Sequence, residues 1–211
     1  MVAFAISGAL LTYLAATRDG PLFDAEFAAA DAALGFDWGA WHQFVVGHRL
    51  LRIPLAAAYA SLAPQVLFSV LWLLHRGEQR RLAELLTAAI VALLLASALF
   101  ALFPSFGPGT KVPDLRAAYV HDLAGLRSGT LPSLDVMLLK GVIAFPSFHA
   151  VLAVLFTATH ARLPSFWPVA ALNAVMLLAL PSEGGHYLVD VLAGIALGLL
   201  AIWLTRISRP G

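Results

Sequence analysis

Between Tyr187 and Trp203 the chain carries one charge, Asp190, in an otherwise apolar run. Such a run is built to cross a bilayer as a helix, and a carboxylate inside it is costly unless it faces protein and finds a partner. His186 lies four residues earlier, a spacing that puts two side chains on one face of a helix. A second histidine, His149, ends the run Phe145-Pro146-Ser147-Phe148-His149 and again opens an apolar stretch. Two histidines, each at the mouth of a span, predict one polar site at one membrane face.

Composition agrees. Of 211 residues, 61% are apolar and only 12% are charged, which fits an integral membrane protein and no soluble domain. There is no cysteine, so disulfides and thiolate metal sites are excluded. A net charge of +1 without a basic run argues against nucleic acid. The expected fold is an all-α, polytopic membrane bundle forming a single domain over residues 1–211, with no internal repeat. Six spans are expected at 1–17, 53–75, 82–103, 146–161, 165–181 and 186–205. The first is shorter than the roughly 20 residues a span needs, yet it lacks the basic start of a signal peptide and is read as a span. Between spans one and two, Phe23, Phe27, Ala30 and Leu34 form a stripe that predicts an interfacial helix, with Trp38 and Trp41 in the aromatic belt. The long segment from Pro104 to Lys140 is rich in Gly and Pro, and long loops of this kind are usually functional.

Arg76, Arg80, Arg81, Arg162, Arg206 and Arg209 fall in short loops on one side, opposed only by Glu78 and Glu84. Short, Arg-dense loops belong in the cytoplasm. That orientation predicts a bacterial inner (plasma) membrane protein whose His149 and His186 face the extracytoplasmic side.

A histidine held by a carboxylate gains basicity and a fixed tautomer, as a nucleophile requires. A second histidine nearby can protonate a leaving group and later take a proton from an attacking hydroxyl. Ser147, at a helix start after proline, offers a hydroxyl and free backbone N–H groups to an anion. Together these groups suit phosphoryl transfer through a phosphohistidine, with no metal or other cofactor required. Glu183, three residues before His186, is read as a cap of the last helix. His42, His48, His75, His121 and His160 are read as interfacial.

The order F-P-S-F-H, an apolar hairpin, then Gly184-Gly185-His186-Tyr187-Leu188-Val189-Asp190-Val191-Leu192-Ala193-Gly194 resembles the type 2 phosphatidic acid phosphatase superfamily. Within it, the H-Y-x-x-D element is similar to the branch named for inositol phosphorylceramide synthase and to sphingomyelin synthases. The resemblance covers about residues 20–205. It implies a lipid phosphatase or head-group phosphotransferase acting on a lipid phosphate or phospholipid. By the same resemblance His186 is the nucleophile, Asp190 its orienting acid, His149 the acid/base and Ser147 a phosphate contact. Phe103-Pro104-Ser105-Phe106-Gly107-Pro108 resembles a pocket-shaping turn of this branch.

Two departures matter. The family's motif of a lysine followed by Arg-Pro is absent, because the only Arg-Pro is Arg209-Pro210, on the wrong side. Its Ser-Arg pair falls on Ala179 and Leu180. A dianionic phosphate needs cations, so replacements are expected among Arg127, Lys140 and Lys111, in that order. A function of another class competes: a haem- or metal-binding membrane protein with His149 and His186 as ligands. A proton-relaying transporter built on Asp190 lacks the internal repeat such proteins show.

Overall fold

All six apolar segments form helix, in a computed structural model that describes residues 2–18, 20–111, 118–130 and 143–208, without the side chains of 2–6, 111 and 118–122. In chain order the α-helices are α1 (Val2–Ala16), α2 (Asp24–Ala33), α3 (Trp38–Gly47), α4 (Arg49–Ala60), α5 (Leu62–His75), α6 (Gln79–Leu102), α7 (Ala118–Ser128), α8 (Phe148–Thr159), α9 (Phe166–Glu183) and α10 (Leu188–Ile207), with a 3₁₀ turn at Pro108–Lys111 after α6. The described residues are therefore all-helical, as expected.

The span count is smaller than six by length. Among the described residues three helices, α6, α9 and α10, are long and apolar enough to cross a membrane alone. A fourth crossing forms only if α4 and α5 are taken together, bent by 50° at Ser61. Pro64 explains the break: it has no N–H to offer, and its ring crowds the carbonyl of Ala60, so α4 cannot run through. Ser61 donates to Ala58 O (2.6 Å), and Gln65 donates back to the Ser61 hydroxyl (3.0 Å). α8 has 12 residues, a rise of about 18 Å, well short of a hydrocarbon core of about 30 Å. α8 is thus too short to cross a membrane alone.

α8 lies at the centre. Val151, Leu155 and Phe156 pack with Ala88 and Ala92 of α6 and Leu197 and Ala201 of α10. α10 approaches so closely because of two glycines. A Cβ at Gly194 would lie 2.3 Å from Ser147 O, and one at Gly198 would lie 3.0 Å from Val154 Cβ. Leucines and tryptophans such as Leu71, Leu94, Leu199, Trp167 and Trp203 stay exposed on the outside, the pattern of a lipid-facing surface.

The end opposite His186 is tied down by Arg81. Its guanidinium donates to Thr159 O (2.9 Å) and Ala161 O (2.8 Å), closing the C-terminal end of α8. His160, read as interfacial, is instead fully buried there, paired with the hydroxyls of Ser165 (2.7 Å) and Ser69 (3.1 Å). The reason is steric: it closes the tight α8–α9 turn beneath α5.

The expected interfacial helix is two helices, α2 and α3, separated by a turn in which Gly35 takes φ +75°. Two residues of its apolar stripe pack on protein, while Leu34 stays exposed. Phe27 stacks on Phe145 (4.5 Å between centroids) and Phe23 meets Phe103 edge-on (5.2 Å).

Candidate functional site

The chain reverses sharply between α9 and α10. Gly185 takes φ +64°, and a Cβ there would lie 3.2 Å from Gly109 Cα, so this turn is pressed against the 3₁₀ turn that follows F-P-S-F-G. His186 then donates its backbone N–H to Leu180 O (3.4 Å) and precedes the N-cap residue, Tyr187. His186 is therefore outside the helix, and the shared-face reading of its spacing is corrected. Asp190, in the third position of α10, reaches back as the acid of a capping box: its Oδ2 accepts from Tyr187 N–H (2.8 Å). The same oxygen lies 3.5 Å from His186 Nδ1. One carboxylate thus caps the helix and faces the imidazole. Asp190 is fully buried and His186 nearly so. With Nδ1 turned to Asp190, Nε2 is the ring nitrogen left for a substrate.

The N-cap of this last helix is Tyr187, so Glu183 does not cap it. Glu183 is the final residue of α9 and lies 3.6 Å from Arg52 Nε. The capping is completed by Asp31 of α2, whose two oxygens accept from Leu188 N–H (2.8 Å) and Val189 N–H (2.9 Å). Asp31 is 2% exposed. Burial pushes its carboxyl above the usual range, with the two N–H donors pulling the other way. Asp24, one α2 repeat earlier, accepts from Phe106 N–H (3.0 Å) and Gly107 N–H (2.9 Å), and Tyr187 OH donates to it across 3.4 Å. A single short helix thus fastens both turns that carry the site.

This arrangement makes a stability prediction. Asp31→Ala leaves two buried N–H groups unpaired and should cost about 2–4 kcal/mol, read as a lower midpoint of thermal unfolding in detergent. Asp31→Asn keeps one acceptor and sheds the buried charge, so its loss should be smaller. Equal midpoints for Asp31→Ala and the parent would show that α2 does not brace α10.

The F-P-S-F-H element joins the same structure from the other side. Ser147 donates its backbone N–H to Asp190 O (3.0 Å), tying the start of α8 to α10. Its side chain is fully buried, its hydroxyl has no hydrogen-bond partner, and it does not line the cavity described next. His149, in the first turn of α8, stacks on Tyr59 of α4 (4.8 Å between centroids, 10° between planes).

His149 and His186 line one cavity of about 480 Å³ with Tyr59 and Gly184. From this polar end the cavity runs between α1, α5, α6 and α8, past Leu62, Val66, Leu85, Leu93, Leu152 and Phe156. Its far end is hydrocarbon. The sequence thus named residues that the fold brings together across 37 positions, the gap from 149 to 186.

The proposed cations fare differently. Arg127 of α7 donates to Arg18 O (3.2 Å) and to Gly20 O, holding the chain after α1. The backbone of Lys111 ends the 3₁₀ turn, but its side chain lies outside the described residues, as does all of Lys140. Sequence reading missed Asp24, Asp31, Tyr59 and Arg52. Only Tyr59 and Arg52 carried a signal, seven residues apart on one face of α4. Among the described residues, no three His, Cys, Asp or Glu side chains are grouped to hold a metal ion.

A family model described as PAP2 superfamily matches residues 25–204, which takes in His149, His186, Asp190, Asp31 and Tyr59 but not Asp24. The chain belongs to the PAP2 superfamily. No curated protein and no solved structure gives a significant match. Membership brings a phosphate-bearing substrate and, for most of the superfamily, phosphatase chemistry. α1, which walls one side of the cavity through Gly8, Ala9 and Thr12, lies before the matched region.

Proposed function

We propose that this PAP2 protein is a membrane enzyme that cleaves a lipid phosphate or phosphodiester through a phosphohistidine on His186. The observation that carries the reading is the cavity itself, with two histidines from distant motifs at one end and a hydrocarbon lining over the rest. A phosphate on a long hydrocarbon tail matches both ends. The tail stays out of water, at a gain of about 0.8 kcal/mol per methylene.

In this scheme His186 Nε2 attacks phosphorus, the N–P bond forms, and the P–O bond to the leaving alcohol breaks. His149 donates the proton that the leaving oxygen takes up. Water, or an acceptor alcohol, then attacks the phosphohistidine, gives its proton to His149, and the N–P bond breaks. Asp190 holds Nδ1 and balances the charge that grows on the imidazole. Ser147, expected from the sequence to touch phosphate, is buried outside this cavity, and its part here is to tie the start of α8 to α10 through its N–H to Asp190 O. Arg127, Lys140 and Lys111 remain candidates for the charge that faces the phosphate.

The H-Y-x-x-D element is what supports the synthase-like branch, in which an alcohol replaces water. The Arg-rich loops support an outer-leaflet site in a bacterial inner membrane: Arg76, Arg80 and Arg81 stand at the α5–α6 turn, Arg162 at the α8–α9 turn and Arg206 at the end of α10, all away from His186.

The test is incubation of the purified protein with a panel of lipid phosphates and phospholipids, with and without acceptor alcohols. Free phosphate or a new phospholipid is the expected product, and orthovanadate should suppress it. EDTA should leave the rate unchanged. A rate lost in EDTA and restored by a divalent ion would replace this scheme with a metal-assisted one.

A further inference from the structure

The superfamily's missing cations leave a question that the fold answers at a place the motifs do not mark. α4 opens with Arg49 and Arg52. Seven residues after Arg52, on the same helical face, is Tyr59, which stacks on His149 and crowds Gly184: a Cβ at Gly184 would lie 3.1 Å from Tyr59 Cε2. Arg52 therefore stands about 10 Å up the face of α4 that ends at the two histidines. Its guanidinium meets Glu183, the residue just before Gly184-Gly185-His186. Arg49, Arg52 and Glu183, with Val46, Ile53 and Ala56, line a second open hollow of about 490 Å³. The two spaces have no lining residue in common but meet along the chain, since Glu183 lines the hollow and its neighbour Gly184 lines the histidine cavity.

The ion pair is loose. At 3.6 Å it is longer than a charge-assisted hydrogen bond, and the Arg52 side chain is 48% exposed. A guanidinium carries five N–H donors in a planar fork suited to two phosphate oxygens. Glu183 engages it through one nitrogen, Nε. The carboxylate of Glu183 is the less exposed partner, at 13%, so without Arg52 it would be a poorly solvated charge beside the site.

We propose that Arg52 is the phosphate clamp of this site and that Glu183 is its resident counter-ion, yielding the guanidinium when a phosphate mono- or diester headgroup enters. The inference rests on the phosphohistidine reading for the identity of the reacting group, but the clamp is read by a different measurement. Glu183 keeps Arg52 oriented over the rim while the site is empty. An entering phosphate competes with it for the same fork. Binding then carries an electrostatic toll set by Glu183, which favours doubly charged headgroups over singly charged ones.

The two roles open to this pair give opposite signs. If Arg52 and Glu183 only hold α4 to α9, removing either should harm the protein alike. If Arg52 is the clamp, Arg52→Ala should raise KM for the lipid phosphate by about tenfold or more, the scale of one lost charge-assisted contact. Arg52→Lys should restore part of it, since it keeps the charge and loses the fork. Glu183→Gln should lower KM, because the competing anion is gone while the shape is kept. The midpoint for orthovanadate inhibition should move in the same three directions. Thermal unfolding in detergent separates folding from binding for each variant. Parallel losses in Arg52→Ala and Glu183→Gln, or a wild-type KM in a folded Arg52→Ala, would overturn the clamp. Full turnover in His186→Ala would instead remove the phosphohistidine and leave the KM comparison standing.

Discussion

His186→Ala should abolish turnover of whichever lipid phosphate the protein accepts, by a factor on the order of 10⁴ or more, while leaving the protein folded. The size follows from the step removed: without a nucleophile there is no covalent intermediate, and a residue acting within a unit takes most of the rate with it. Folding should survive because the side chain of His186 faces a cavity, whereas its backbone N–H, bonded to Leu180 O, is untouched by the change. His149→Ala should be equally silent, since the leaving oxygen then has no proton donor. Asp190→Asn is a different kind of change. The amide oxygen still accepts from Tyr187 N–H, so the cap is kept, but the charge facing His186 Nδ1 is gone. A small remainder of activity is expected, as when the orienting acid of a catalytic triad is neutralised. The measurement is single-turnover release of the leaving alcohol together with trapping of the phosphoenzyme. Wild-type turnover by a folded His186→Ala would end the phosphohistidine scheme.

What the sequence could say about this site depended on how far apart the interacting groups are. The His186–Asp190 pairing is local, so four residues of spacing were enough to find it. The reason given for it was wrong, though, since His186 lies before the helix and Asp190 reaches back as a cap. The partnership of His149 with His186 was readable because each opens an apolar run, and two polar residues at span mouths have one economical meeting place. All six apolar segments were readable as helix for the same reason: hydrophobicity over a long run is a strong local signal. The bend at Ser61 was readable in principle from Pro64, but a 23-residue apolar stretch, 53–75, hides a break well.

The bracing of α10 was beyond reach. Asp31 and Leu188 are 157 residues apart, and the acids of α2 look like the solvated face of an interfacial helix until the fold turns them inward. Arg52 and Glu183 raise the same difficulty, since Glu183 on its own reads as a cap of α10 and nothing near it in sequence points to Arg52. Long-range pairs of charged residues carry no periodicity, and periodicity is what a single sequence offers.

Gly194 gives the second large effect, and here propensity and packing pull in opposite directions. In an open helix interior, Gly→Ala stabilises by about 1 kcal/mol. At Gly194 the added Cβ would lie 2.3 Å from the carbonyl oxygen of Ser147 and 2.8 Å from Ala150 Cβ. The first of these is backbone and cannot swing aside, so α8 and α10 must separate. Separation strains the Ser147 N–H bond to Asp190 O (3.0 Å) and moves the starts of both site helices apart. Overpacking of this kind typically costs 1–3 kcal/mol and occasionally more; with a fixed backbone atom opposite, Gly194→Ala should fall at about 2–3 kcal/mol net, and Gly194→Val beyond it. Turnover should drop even in the fraction that folds, because His149 rides on α8 while His186 and Asp190 ride at the head of α10. Gly47→Ala is the matching control: nothing lies within 4 Å of a Cβ there, at the end of α3, so it should be neutral. Unfolding midpoints and initial rates for the two alanine variants decide the matter. If Gly194→Ala matches Gly47→Ala in both, the close approach of α8 and α10 is not what holds the two histidines together.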